Sequence, residues 1–134
     1  MVGPNYPLFL NGMNVSTTPA TLNTSQNRLR FRLLNASTSS QVTVSMSDQS
    51  AFTMIASDGG YLAAPLSLTP ATLGPAERAE IIVDLAPGAT RTLVTTSGSL
   101  LVITTTGVST PAALPTTLNT ITPYSTASAV THVR

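Results

Sequence analysis

Apolar and polar positions alternate along this chain with a period of two, and the pattern is clearest from Arg28 to Asn35. Arg28, Arg30 and Arg32 interleave there with Leu29, Phe31 and Leu33, which places the arginines on one face of a β-strand and the apolar side chains on the other. Val42, Val44 and Met46 alternate in the same way with Thr43, Ser45 and Ser47. From Arg78 to Leu85, the set Ala79, Ile81, Val83 and Leu85 shares one face, while Arg78, Glu80, Ile82 and Asp84 share the other. Gly74-Pro75-Ala76-Glu77 just before it carries a helix-start signal. The β-branched run Ile81-Ile82-Val83 outweighs that signal, because it loses side-chain freedom in a helix and suits a pleated surface. A strand is therefore predicted from Ala79 to Leu85. Where it neighbours the Arg28–Asn35 strand in one sheet, Glu80 and Asp84 face the arginines Arg30 and Arg32 across the sheet surface.

Turn chemistry separates further strands. Pro7 to Asn11 closes at Asn11-Gly12, and Phe52 to Ser57 is stopped by Asp58-Gly59-Gly60. Val15 to Gln26 is polar and contains Pro19, which predicts a loop with at most a short edge strand near Ala20 to Leu22. Pro65 within Tyr61 to Leu68 predicts an edge strand or an extended connection, and Thr69 to Leu73 suits a single helical turn. Thr90 to Thr96 and Leu100 to Thr106 flank a turn at Ser97-Gly98-Ser99. From Gly107 onward Pro111, Pro115 and Pro123 interrupt a Thr-rich tail expected to run extended over the surface as a linker. The expectation is an all-β, antiparallel Greek-key β-sandwich of seven or eight strands with little or no helix, spanning residues 1–118, followed by a linker at 119–134.

Composition changes this picture mainly through charge. Charged residues make up 8% of the 134, against about 25% in typical soluble domains. With six arginines, no lysine and five acids, the net charge is +1, too weak a field to gather nucleic acid or an anionic membrane. Neither is expected as a partner. No apolar run is long enough to span a bilayer, and the N-terminal residues do not resemble a signal peptide. Low charge, sparse aromatics and abundant Ser and Thr suit a secreted or periplasmic β-protein.

Several segments in succession resemble the middle, second cupredoxin-like domain of three-domain multicopper oxidases, the laccase and copper-efflux-oxidase group. They are Tyr6-Pro7-Leu8-Phe9-Leu10-Asn11-Gly12, Arg28 through Ala36, Ile55-Ala56-Ser57-Asp58-Gly59-Gly60 and Leu73 through Asp84, with a weaker match at Ala113 to Leu118. In that family copper sits in the first and third domains, on His-x-His pairs and a His-Cys-His run with a Met nearby. The resemblance implies a copper-free module that joins two copper-bearing neighbours, in a parent that oxidises phenols or metal ions and reduces dioxygen to water. Its partners would be the flanking cupredoxin domains. Residues expected to matter structurally are Arg28, Arg30, Phe31, Arg32, Asn35, Asp58, Gly59, Gly60, Arg78, Glu80 and Asp84. No catalytic, cofactor-binding or metal-binding residue is assigned, and copper belongs to the parent alone.

The residues agree with that restraint. A blue-copper site needs a Cys thiolate and two imidazoles, whereas the chain has no Cys and one histidine, His132 in the tail. The same shortage removes a single-domain cupredoxin electron carrier and a Ser/His/Asp triad. Met13, Met46 and Met54 offer thioethers to a soft metal, but Met46 and Met54 fall at core-facing strand positions, which favours plain packing. Asn14, Asn23 and Asn35 begin N-glycosylation patterns, which arise readily by chance in so Ser- and Thr-rich a chain. The arginine stripe reads as a solvated or paired face rather than an anion site. A free-standing β-sandwich binding or adhesion module is the alternative. A His-x-His motif encoded before this stretch and a His-Cys-His run after it would discriminate against it. A domain taken from between two neighbours is also expected to self-associate through the surfaces they covered.

Overall fold

The computed structural model describes residues 7–122, so His132 and most of the expected linker lie outside the described residues. Eleven strands and no helix occur among the described residues: β1 (Phe9–Leu10), β2 (Met13–Asn14), β3 (Ala20–Thr24), β4 (Arg28–Leu34), β5 (Val42–Met46), β6 (Phe52–Ser57), β7 (Gly60–Leu68), β8 (Pro70–Leu73), β9 (Arg78–Asp84), β10 (Thr90–Thr95) and β11 (Gly98–Thr105). β1 and β2 form a small hairpin whose turn residues Asn11 and Gly12 take φ of 49° and 81°, the left-handed pair that matches strand twist in a two-residue turn. The other strands build two sheets, one ordered β3-β11-β10-β5-β8 and one ordered β4-β9-β6-β7. The fold is an all-β, cupredoxin-like sandwich.

Its core draws on both sheets. Val44, Met46, Ala71, Leu93, Leu100 and Ile103 come from the five-stranded sheet, and Phe52, Ile81 and Val83 from the four-stranded one. Leu29, Phe31 and Leu33 pack against this cluster from β4, with Met54 beside them. Met46 is fully buried, while Met13 is exposed on the hairpin.

Three local expectations change. The helical turn expected at Thr69–Leu73 is instead β8, whose Ala71 and Leu73 pair with Val44 and Val42 and are buried. Pro70 begins that strand at the sheet edge, where a missing N–H removes nothing from the ladder. The polar stretch before Arg28 yields β3, which extends to Thr24 and pairs in parallel with β11 from Leu101↔Ala20 to Thr105↔Thr24, so the sandwich is not wholly antiparallel. The expected seven or eight strands become eleven because β8, β3 and the hairpin add short pieces. β7, with Pro65 inside it, lies at the edge of its sheet.

The chain leaves β11 through a buried clamp. Asn27 is 2% exposed; its Nδ2 donates to the carbonyls of Leu85 (3.1 Å) and Gly107 (3.3 Å), and its Oδ1 accepts from the Ser109 N–H (3.1 Å) and hydroxyl (3.2 Å). The following segment then crosses the outer face of the four-stranded sheet. Arg28 Nη1 on β4 donates to the Ala112 carbonyl, and the Leu118 N–H donates to the Ala63 carbonyl on β7 at 2.8 Å. The half-burial of Pro111, Leu114 and Leu118 fits this crossing, as does the 7% exposure of Ile82, which alternation turns outward.

Asn27→Ala removes this whole set of buried bonds and is expected to lower the unfolding free energy by about 1–3 kcal/mol. Gly107→Ala should weaken the fold as well, since a Cβ there collides with Asn27 Oδ1 and the Ser25 carbonyl. Urea unfolding checks both, and unchanged midpoints would contradict the clamp.

Candidate functional site

One ladder row crosses every strand of the four-stranded sheet. Arg32 on β4 lies opposite Glu80 on β9, Glu80 opposite Ala56 on β6, and Ala56 opposite Tyr61 on β7. Opposed residues share a face, so this row lies on the outer face with the arginines. Ala56 carries only a methyl between longer neighbours. A depression of about 380 Å³ opens above it, lined by Arg30, Arg32, Asp58, Tyr61, Arg78 and Glu80.

The charges around it are joined in pairs and triplets. Arg30 Nε donates to Glu80 Oε2 at 2.7 Å, and its Nη2 donates to the same oxygen and to Tyr61 Oη at 3.1 Å. The Arg30 guanidinium also stands 5.5 Å from the centroid of the Tyr61 ring, within cation–π range. Arg32 Nε lies 3.2 Å from the other Glu80 oxygen, so one carboxylate serves two guanidinium groups. Asp58 Oδ1 accepts from the Arg78 N–H at 2.9 Å and lies 3.0 Å from Arg78 Nε. Further along the strands, Arg28 and Asp84 form a two-pronged fork, with Nε to Oδ1 and Nη2 to Oδ2 both at 2.6 Å. The bond to Asp84 raises the Arg28 pKa above its ordinary value against the opposing effect of burial; bonds to Glu80 and then Tyr61 raise that of Arg30.

The structure thus brings Arg30, Arg32, Asp58, Gly60, Arg78 and Glu80 to one depression, and sets the Arg28–Asp84 pair apart from it. Phe31 turns inward to the core. Asn35 belongs to neither group. It is 5% exposed, donates to the Ser40 and Leu73 carbonyls at 2.8 and 3.0 Å, and accepts from the Ser37 N–H, so its glycosylation pattern is occupied by folding. Asn14 and Asn23 are exposed. Asp58 and Gly59 form the β6–β7 turn, and Gly60, which opens β7 opposite Ser57, takes a φ of 117°. Tyr61 and Ala56 were not singled out by the sequence, because their importance comes from cross-strand register, which no local pattern carries.

Among the described residues no group of three His, Cys, Asp or Glu is placed to hold a metal ion. The donor set of the whole sequence, without Cys and with one His, does not fit a blue-copper centre. What the outer face offers chemically is ion pairing and hydrogen bonding.

Comparison with known proteins then decides the family. The multicopper oxidase family model matches residues 5–122. The chain belongs to the multicopper oxidase family. A multi-copper oxidase from Pediococcus acidilactici has a TM-score of 0.72 and 28% identity, over 78% of this chain and 23% of that one. The laccase-like oxidase CueO of Ochrobactrum sp. has the same fold, with a TM-score of 0.73 and 23% identity over 84% of this chain and 27% of its own. The cell division protein FtsP of Rahnella sp. is 47% identical over 60 residues, 45% of this chain and 13% of that protein. This member of the multicopper oxidase family therefore spans only about an eighth of that curated relative and about a quarter of those solved oxidases.

A double-mutant cycle on Arg28→Ala and Asp84→Ala is expected to give a coupling of about 0.2–1 kcal/mol, as for exposed pairs, that shrinks as salt is added. Additive single effects, or a coupling indifferent to salt, would count against the fork.

Proposed function

We propose that this chain is a non-catalytic, copper-free domain that spaces and orients its neighbours within a longer multicopper-oxidase-family protein. The observation that carries this reading is a family match over nearly the whole chain in a sequence with no thiolate and only one of the two imidazoles that a blue-copper centre requires. The flanking cupredoxin domains are its partners, residues 1–118 are the domain proper, and the segment from 119 leads to a neighbour. Export to the periplasm or the medium fits the low charge and the family.

For the parent, the solved relatives support copper-dependent oxidation of phenols or metal ions with reduction of dioxygen to water. The higher identity to FtsP favours a second reading, in which the parent serves cell division. Copper-ligand motifs encoded on both sides of this stretch would support the oxidase, and their absence the second reading. The spacing role of this domain is common to both.

Copper titration of the chain should give neither a blue absorption band nor a tight stoichiometric site; either result would overturn the copper-free assignment. Phe9, Met13, Leu34 and Leu66 are 49–58% exposed, and the low charge does little to keep such surfaces apart. Sedimentation velocity is expected to report association that grows with concentration. A monomer alone at high concentration would contradict it.

A further inference from the structure

We infer that the depression above Ala56 is a binding site for a carboxylate-bearing ligand, whose charge is taken by the Nη groups of Arg32 and Arg78 and whose body lies against Tyr61. In a chain so poor in charge, three of the six arginines and two of the five acids line this one hollow. The surplus is positive by one. That surplus is also unevenly held. Arg30 commits Nε and Nη2 to Glu80 and Tyr61, whereas Arg32 and Arg78 each approach a carboxylate through Nε, at 3.2 and 3.0 Å, with side chains 78% and 58% exposed. Among the described residues the Nη groups of these two arginines make no hydrogen bond to the protein, and their ion-pair contacts run through Nε.

Register aims them at a common space. Arg32 is opposite Glu80 and Leu34 is opposite Arg78, so Arg32 and Arg78 are diagonal neighbours on one face, about 7–8 Å apart at the backbone. Side chains of this length converge easily over that span. Each Nε lies at ion-pair distance from a carboxylate, and a guanidinium carries further N–H donors in a planar fork that matches a planar oxyanion. A carboxylate suits the hollow better than phosphate, because Glu80 and Asp58 stand at its wall and would repel a second negative charge. Tyr61, 46% exposed, supplies an aromatic contact for the rest of the ligand. The volume of about 380 Å³ lies within the roughly 300–1,000 Å³ of small-molecule sites. The crossing segment of residues 108–122 is anchored at Arg28 and at Ala63 and contributes none of the residues that line this hollow.

The test uses the 134-residue chain, labelled with 15N and titrated at constant ionic strength with benzoate, inorganic phosphate and benzyl alcohol in parallel. Benzoate should produce saturable shifts at the Arg32 and Arg78 Nε–H signals and at the Ala56 and Tyr61 amides, with phosphate and benzyl alcohol binding at least about tenfold more weakly. Arg32→Gln and Arg78→Gln should each weaken benzoate by about tenfold, the loss of one charge-assisted bond, with core amide shifts unchanged. Three results would each overturn the proposal: no saturation by benzoate, phosphate binding as tightly as benzoate, or undiminished affinity in Arg32→Gln. The last variant alters a side chain that projects into solvent, so it reports on binding even where Arg78→Gln disturbs the turn at Asp58.

Discussion

The pairing of β4 with β9 is the constraint on which the rest of the domain depends. Seven residue pairs run in register from Arg28↔Asp84 to Leu34↔Arg78, and the two faces of that ribbon have opposite tasks. Inward, Leu29, Phe31 and Leu33 join Ile81 and Val83 in the sandwich core. Outward, a nearly uncharged protein concentrates its ions. A slip of one residue would drive guanidinium groups into the core and leucines into water, so the register is specified by burial far more strongly than by the ion pairs. The ion pairs discriminate among arrangements that burial already permits.

This division explains how much could be read from residue order. β4, β5 and β9 announce themselves because one face is wet and one is dry, and alternation encodes that directly. β8 does not: its four residues Pro70–Leu73 bury only Ala71 and Leu73, too short a pattern to outweigh a Pro that also begins helices. β3 is legible only as a weak edge because its pairing is parallel and reaches across the chain to β11. The outer-face arginines and their acids were visible as candidates, whereas the row from Arg32 through Glu80 and Ala56 to Tyr61 depends on the bulge between Met54 and Ala56 that shifts register in both neighbouring strands. Asn27 gave no signal at all, since a buried amide looks like any loop asparagine until its partners are in place.

Family membership and local chemistry bear on different questions here. The sandwich is shared with oxidases at low identity, which is what a fold retained for packing looks like. The ligands that define the family's chemistry are a separate layer, carried by side chains this chain lacks. Its own surface chemistry is ionic, concentrated on one face and built from register.

The crossing segment would set how freely a domain joined after it could move. Without the Arg28 and Leu118 contacts, the pivot would lie at the end of β11, and each residue beyond it would add up to about 3.3–3.6 Å of slack. Because the Leu118 N–H is bound to Ala63, the pivot shifts to the far edge of the four-stranded sheet. A domain joined after this segment would swing on a shorter radius and from a fixed side of the molecule, its range of approach narrowed before any interface formed.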